Sequence, residues 1–460
     1  MNTPTETVRS SAPQEMFKVV KSAIGSAAKS QAARLGKLVL PGRAAIDTPA
    51  FLAVTSRGTV PHVTQDNITK HTALCGSLMA LEDFVERKEP PIYKAPHSPT
   101  GSLRAFTATP DSLITVLAAR RIPQVPAPLG NTEKHVKIFT STGFADEKAV
   151  DYPAHIAALQ PDIAVPLADL SQSGTNVPAS TKRARRMAYR TESWLDTFLE
   201  KLDEQTAREK KIAVFAPVLT LPLEMQWEYI QRLTETAPRL NGLAVYDAQI
   251  LTDLEAEQYA VLQDLPKMAL DTPKTPHDVL KLISLGADVV TAAFVNATSD
   301  AGVCLTFAFP TADTPTTTNL LPIGTDMWDP SNRTNVSPLM QNCTCYACTR
   351  HHRAFIHHLL QAKEMLGWAL LQIHNLHIFS EFLGAVRASL AAGQFEQRKA
   401  LFTQLYDSVL PHGTGARPRA RGYHFKSETD QDKINVPAWE PLNPERPRSR
   451  ERKEESETSA

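Results

Sequence analysis

TPHDVLKLISLGADVVTAAF, residues 275–294, reads as a helix that runs straight into a strand. Thr275 can cap the helix with its hydroxyl, and Pro276 suits the first helical position, where no amide hydrogen is needed. Gly286 sits where the helix must stop. The ADVVTAAF that follows is rich in β-formers. The same alternation runs through the residues upstream. KIAVFAPVL (211–219) reads as a buried strand, PLEMQWEYIQRLTETAP (222–238) as a helix and LNGLAVYD (240–247) as a strand. TDLEAEQYAVLQDLP (252–266) reads as a helix and KMALDTP (267–273) as a short strand. Repeated βα units imply a parallel sheet. No GxGxxG follows a strand, so a (β/α) barrel of the TIM type fits better than a dinucleotide-binding sheet.

The totals agree with this. A chain of 460 residues is long enough for one barrel with insertions. Lys+Arg and Asp+Glu both number 49, so no net charge advertises a nucleic-acid partner, although a local basic patch can hide in a neutral total. Five cysteines, three of them clustered, do not resemble a secreted disulfide framework and point to a reducing, intracellular setting. The first residues, MNTPTETVRSSAPQ, lack the apolar core of a signal peptide. No apolar run approaches the ~18 residues of a membrane span.

Composition suggests four parts. Residues 1–14 are expected to be disordered, and 15–342 to form the barrel. Residues 343–410 are expected to form a metal-binding and helical subdomain, and 411–460 a disordered charged tail rich in proline. Within the tail, INVPAW (434–439) is a lone apolar piece suited to a docking contact. After the cysteines, RAFIHHLLQAKEMLGWALLQIHNLHIFSEFLGAVRASLAAG (353–393) has no proline. Phe355, Leu359, Leu366, Leu370 and Ile373 recur at helical spacing, which predicts a helical extension beyond the barrel.

Cys343, Cys345 and Cys348 form C-x-C-x-x-C, a spacing that lets one loop offer three sulfurs to one ion. Zn²⁺ takes four such ligands in a tetrahedron. The competing reading is three thiols packed as small hydrophobes. His351, His352, His357, His358, His374 and His377 all follow, and spacing alone does not choose the fourth ligand among them. A closed Cys₃His site leaves no position for substrate, so its role would be structural.

This segment resembles the zinc subdomain of the tRNA-guanine transglycosylases. In that family the histidine of the HNL end completes the site; here that residue is His374, with 25 residues between it and Cys348. RLGKLVLPGRAAIDTPAFLAVTSRGTVPHVT (34–64) is similar to the family's opening strands, and the resemblance spans roughly residues 17–410. It implies a (β/α)8 barrel with a zinc-binding subdomain and C-terminal helices, and one structural Zn²⁺ per chain held by Cys343, Cys345, Cys348 and His374. It also implies a reaction that exchanges guanine in a tRNA anticodon for a deazaguanine base, queuine in eukaryotes. An aspartate attacks the ribose in that reaction, as a carboxylate does in retaining glycosidases.

The sequence departs from the family at that aspartate. G-x-D-x-F-D is replaced by GADVVT, so Thr291 stands at the nucleophile position and Asp288 should face the other side of the strand. The Asp-Ser-Gly-Gly-Phe loop with the second catalytic aspartate is absent, and neither TSTGF nor SQSGT replaces it. Two carboxylates missing beside an intact zinc motif is similar to the non-catalytic subunits that eukaryotic members pair with a catalytic homologue. The resemblance therefore implies no catalytic residue here, no further cofactor, a heterodimer, tRNA as a partner, and a cytoplasmic location, with relatives associated with the mitochondrial outer surface. The other expectations are an active enzyme with its nucleophile re-sited to Asp288 or Asp300, or a tRNA- or queuine-binding protein without a partner enzyme. Lys182, Arg183, Arg185, Arg186 and Arg190 in STKRARRMAYR (180–190) suit tRNA phosphates or, equally, a solvated helix face. Asp169 in VPLADL roughly aligns with a base-binding aspartate of the family but is not assigned a role.

Overall fold

The computed structural model describes residues 16–22, 33–86, 89–94, 101–127, 130–170, 179–311 and 319–418. Residues 1–14, INVPAW and nearly all of the charged tail lie outside them.

Eight parallel strands close into a barrel: β1 (Ala50–Val54), β2 (Gly76–Ala80), β3 (Ile114–Ala118), β4 (Ile163–Ala164), β5 (Ala213–Val218), β6 (Gly242–Val245), β7 (Lys267–Ala269) and β8 (Val289–Thr291). Each strand pairs with the next in sequence. β8 returns to β1 with Val289 opposite Ala50 and Thr291 opposite Leu52. Side chains alternate across each strand. Leu52, Val116, Phe215, Met268 and Val289 fill the barrel interior, while Phe51, Leu117, Val214, Ala269 and Val290 face the surrounding helices.

Three antiparallel strands, Phe17–Ser22, Arg34–Leu38 and Ile46–Thr48, precede the barrel and seal its N-terminal end. Phe17, Leu38 and Ile46 join the interior cluster.

The helices that bear on the site are α1 (Thr181–Lys201), α2 (Leu223–Thr236), α3 (Pro276–Ser284), α4 (Ala293–Asp300), α5 (Tyr346–Arg350), α6 (Arg353–Gln361), α7 (Met365–Ala392) and α8 (Phe395–Leu405). At the head of α3, Thr275 accepts from the Asp278 amide while Asp278 reaches back to the Thr275 amide, a reciprocal cap with Pro276 behind it. Gly286 ends that helix at φ +99°, a conformation that L side chains avoid.

The long helix differs from expectation. It does not extend beyond the barrel but covers it. Phe379 of α7 lies 4.8 Å from Phe51 of β1 and 5.3 Å from Phe294 of α4, edge to face. Arg387 donates to the Pro49 carbonyl at 2.8 Å. The first turns of α7 (Trp368, Leu370, Leu371) instead pack with Cys345, Ile356 and Leu360 in a second core. Apolar residues therefore surround the helix, as expected when both faces are buried.

Candidate metal centre and barrel mouth

The Cys343, Cys345, Cys348 and His374 ligand atoms all lie within 4.8 Å of one another. The three sulfurs stand 3.7, 3.4 and 3.4 Å from His374 Nδ1. A tetrahedral zinc with ordinary bond lengths sets sulfur and nitrogen roughly 3.5 Å apart, so the donor set fits a four-coordinate thiophilic ion.

Local structure explains how the ligands converge. Cys345 caps α5, and its sulfur accepts from the Cys348 amide at 3.3 Å, an arrangement that favours the thiolate. His374 comes from the buried middle of α7. Its Nε2–H donates to the Leu305 carbonyl at 2.9 Å, which leaves the Nδ1 lone pair aimed at the sulfurs. Leu305 ends strand β9 (Val303–Leu305), which pairs with β10 (Gly324–Asp326). The next residue, Asn375, grips the same strand, accepting from the Leu305 amide at 2.8 Å and donating to Val303 O and Ser299 Oγ. "HN" is thus a two-residue clamp on β9.

Hydrogen bonds from the neighbouring sulfurs and from His374 favour the Cys343 thiolate. Burial alone would lower the His374 imidazole, but the neighbouring Cys343 and Cys348 thiolates push it up to about 9.

The other histidines have different work. His351 stacks on Phe355, His352 caps α6 by accepting from the Phe355 amide, and buried His357 bonds the Met327 carbonyl. His358 is exposed. His377, one turn past His374, favours the Cys343 thiolate from beside it.

At the C-terminal mouth of the barrel, where TIM-barrel chemistry resides, Thr291 points inward with Val289 and is fully buried. Its hydroxyl donates to the Asp271 carbonyl at 2.7 Å. Asp288 lies at the opposite end, as strand alternation and position require. Arg34 holds both of its oxygens, at 2.9 and 2.7 Å, and the Lys267 amide donates to it at 2.8 Å. Asp300 is engaged by His62 at 2.6 Å.

The turn after β3 presents guanidinium groups. Arg121 is tied to Glu82, and Arg120 donates to Asn131 Oδ1 at 2.9 Å. Burial lowers Arg120 to about 10, which still leaves it charged at neutral pH. Asn131 donates to Asp169 Oδ1 at 2.7 Å, and Arg190 to Asp169 Oδ2 at 2.9 Å. Asp169 lines a cavity of about 660 Å³ with Asn131, Lys182, Arg183, Arg186 and Arg190. Sequence reasoning missed Arg120 and Asn131; the signal was AARR at the end of an apolar strand.

A closed ring of eight parallel strands, with a Cys₃His cluster clipped to the helix that covers its seam, defines a (β/α)8 barrel carrying a metal-binding unit. The chain belongs to the queuine tRNA-ribosyltransferase family, whose model matches residues 29–408. It is 31% identical over 420 residues to the Schizosaccharomyces pombe protein named queuine tRNA-ribosyltransferase accessory subunit 2, with 91% of each chain covered. Proteins of the same name from Culex quinquefasciatus and Danio rerio are 28% and 26% identical, covering 78% and 80% of this chain and 85% and 95% of theirs.

Proposed function

We propose that this chain is the non-catalytic subunit of a heterodimeric queuine tRNA-ribosyltransferase. It pairs with a catalytic homologue and helps to position tRNA for exchange of guanine at the anticodon. The observation that carries this reading is Thr291, whose buried hydroxyl is committed to the Asp271 carbonyl where the reaction needs an attacking carboxylate. A threonine hydroxyl without a base is a weak nucleophile, and no such base contacts it among the described residues. The re-sited nucleophile fares poorly as well, since Arg34 and His62 occupy Asp288 and Asp300.

Cys343, Cys345, Cys348 and His374 hold one structural Zn²⁺ in this reading. Residues 343–410 act as the metal-and-helix unit of a barrel spanning 15–342. The complex works in the cytoplasm, with any mitochondrial association peripheral. Among the described residues no helix is long and apolar enough to cross a membrane.

The test is co-purification with the catalytic homologue, followed by base-exchange assays with each chain omitted in turn. Activity is expected only when both are present. Robust exchange by this chain alone would overturn the reading. Metal analysis should give one zinc per chain; a well-folded sample without zinc would refute the metal assignment.

A further inference from the structure

We propose that the cavity at the barrel mouth is a phosphate-binding pocket, and that it takes backbone phosphates of an RNA strand rather than a base. Four cations, Lys182, Arg183, Arg186 and Arg190, line its wall, against a single carboxylate, Asp169. All four belong to α1. Lys182, Arg186 and Arg190 follow one another at intervals of four, and Arg183 stands three before Arg186, so they share one stripe of the helix.

Asp169 cannot neutralise them all. Asn131 takes one of its oxygens and Arg190 the other. Lys182, Arg183 and Arg186 have no ion-pair or hydrogen-bond partner among the described residues, and the buried Nε of Arg190 has none either.

Lys182, Arg183 and Arg186 are exposed, so water offsets much of their crowding, but its sign is unfavourable. Like charges three and four residues apart repel. Lys182 and Arg183 also sit in the first turn of α1, where the helix dipole disfavours cations and no acidic residue offsets them. An oxyanion reverses the sign of each of these effects. A neutral base gains less, because the acceptor oxygens of Asp169 and Asn131 are already engaged by Asn131, Arg190 and Arg120. From Lys182 to Arg190 the stripe runs roughly 12 Å along the helix, longer than one phosphate needs, which favours a strand over a single ion. Arg185 lies on the same helix, exposed and outside the cavity lining, and provides an internal control.

The choice of RNA rests on the function proposed above; the cationic pocket does not. The test uses the full-length chain as wild type, Arg183→Ala/Arg186→Ala and Arg185→Ala, with circular dichroism to confirm equal folding. Affinity for a labelled tRNA transcript is measured across a salt series. The shift in melting temperature with inorganic phosphate and with guanosine monophosphate is measured in parallel.

The double variant is expected to bind the transcript at least about tenfold more weakly, and its salt dependence to fall by about 1.4–1.8 log units per log unit, two phosphate contacts' worth. Arg185→Ala should match wild type. If transcript affinity is unchanged but phosphate or the nucleotide stabilises wild type and not the double variant, the pocket stands and its ligand is a free phosphate. If the double variant matches Arg185→Ala with every probe, the pocket is overturned. Co-purification with the catalytic homologue reads the pairing separately, and the double substitution should leave it intact.

Discussion

Thr291 shows how much a single position decides. Its backbone lies at the end of the strand that closes onto β1, and its side chain is fully buried. On the function proposed above, a hydroxyl already spent on the Asp271 carbonyl stands where a carboxylate would attack, and the second carboxylate is missing as well. Restoring the carboxylate should therefore not restore catalysis. Thr291→Asp loses the bond to the Asp271 carbonyl and buries a charge next to a carboxyl that burial already pushes upward. Exchange by the lone variant is expected to stay at background, and chemical denaturation to show a loss of about 3 kcal/mol. A second residue makes a prediction in pH. Glu147 is buried, its Oε1 without a hydrogen bond and 3.6 Å from His155 Nε2, and desolvation pushes its carboxyl up to about 8. The folded state thus holds a proton that the unfolded chain releases near 4.5. Its contribution is intact below pH 4.5, is lost as pH rises towards 8, and is constant above. Glu147→Gln should flatten that decline, making the variant the more stable above pH 8 by an amount on the order of 3 kcal/mol. Melting curves of both proteins from pH 5 to pH 9 would check this.

At the scale of elements, the metal loop and β9 are held by neighbouring residues of one helix. His374 offers one nitrogen to the thiols and the other to Leu305, and Asn375 grips two alternate residues on one edge of the same strand. Asn375→Ala would leave the Leu305 amide and Val303 carbonyl without partners in a buried site. A loss of about 2–4 kcal/mol is expected in denaturation, with faster zinc release to a chromophoric chelator. Cys345→Ser removes both a ligand and the sulfur that caps α5. Zinc content should fall from one per chain to near none, and hydrogen exchange should lose protection across Cys343–Gln361 before it does so in β1–β8. The cysteines were legible in the sequence because thiolate spacing is a local code. So was α3, because Thr275, Pro276 and Gly286 each act within one turn. Residues 353–393 misled about α7 because apolar periodicity reports that a face is buried but not against what; Phe379 meets Phe51, more than 300 positions away. The cavity was half legible. STKRARRMAYR announced the charges, but only the folded chain separates Arg183, Arg186 and Arg190, which face the cavity with Asp169, from Arg185, which does not.

For the molecule as a whole, Asp288 has a structural purpose. Its bidentate pairing with Arg34 ties the sheet that seals the barrel's base to the strand that completes the ring. Asp288→Ala would leave a largely buried guanidinium without its counter-charge, held only by the Gln263 and Leu265 carbonyls, at a cost of about 3 kcal/mol. With the protein held well below its lowered melting point, base exchange by the two-subunit complex should persist; abolition of exchange in a folded variant would instead point to Asp288 as a reacting group. The position of α7 in the chain carries a further consequence, for synthesis. The seam between β1 and β8 is complete once Thr291 has emerged, yet the helix that covers it begins only at Met365, beyond the cysteine loop. Until then Phe51 and Phe294 lack their shared partner Phe379. A metal held as proposed above would wait for His374 on the very helix that brings the cover, which would couple ion binding to closure of the seam.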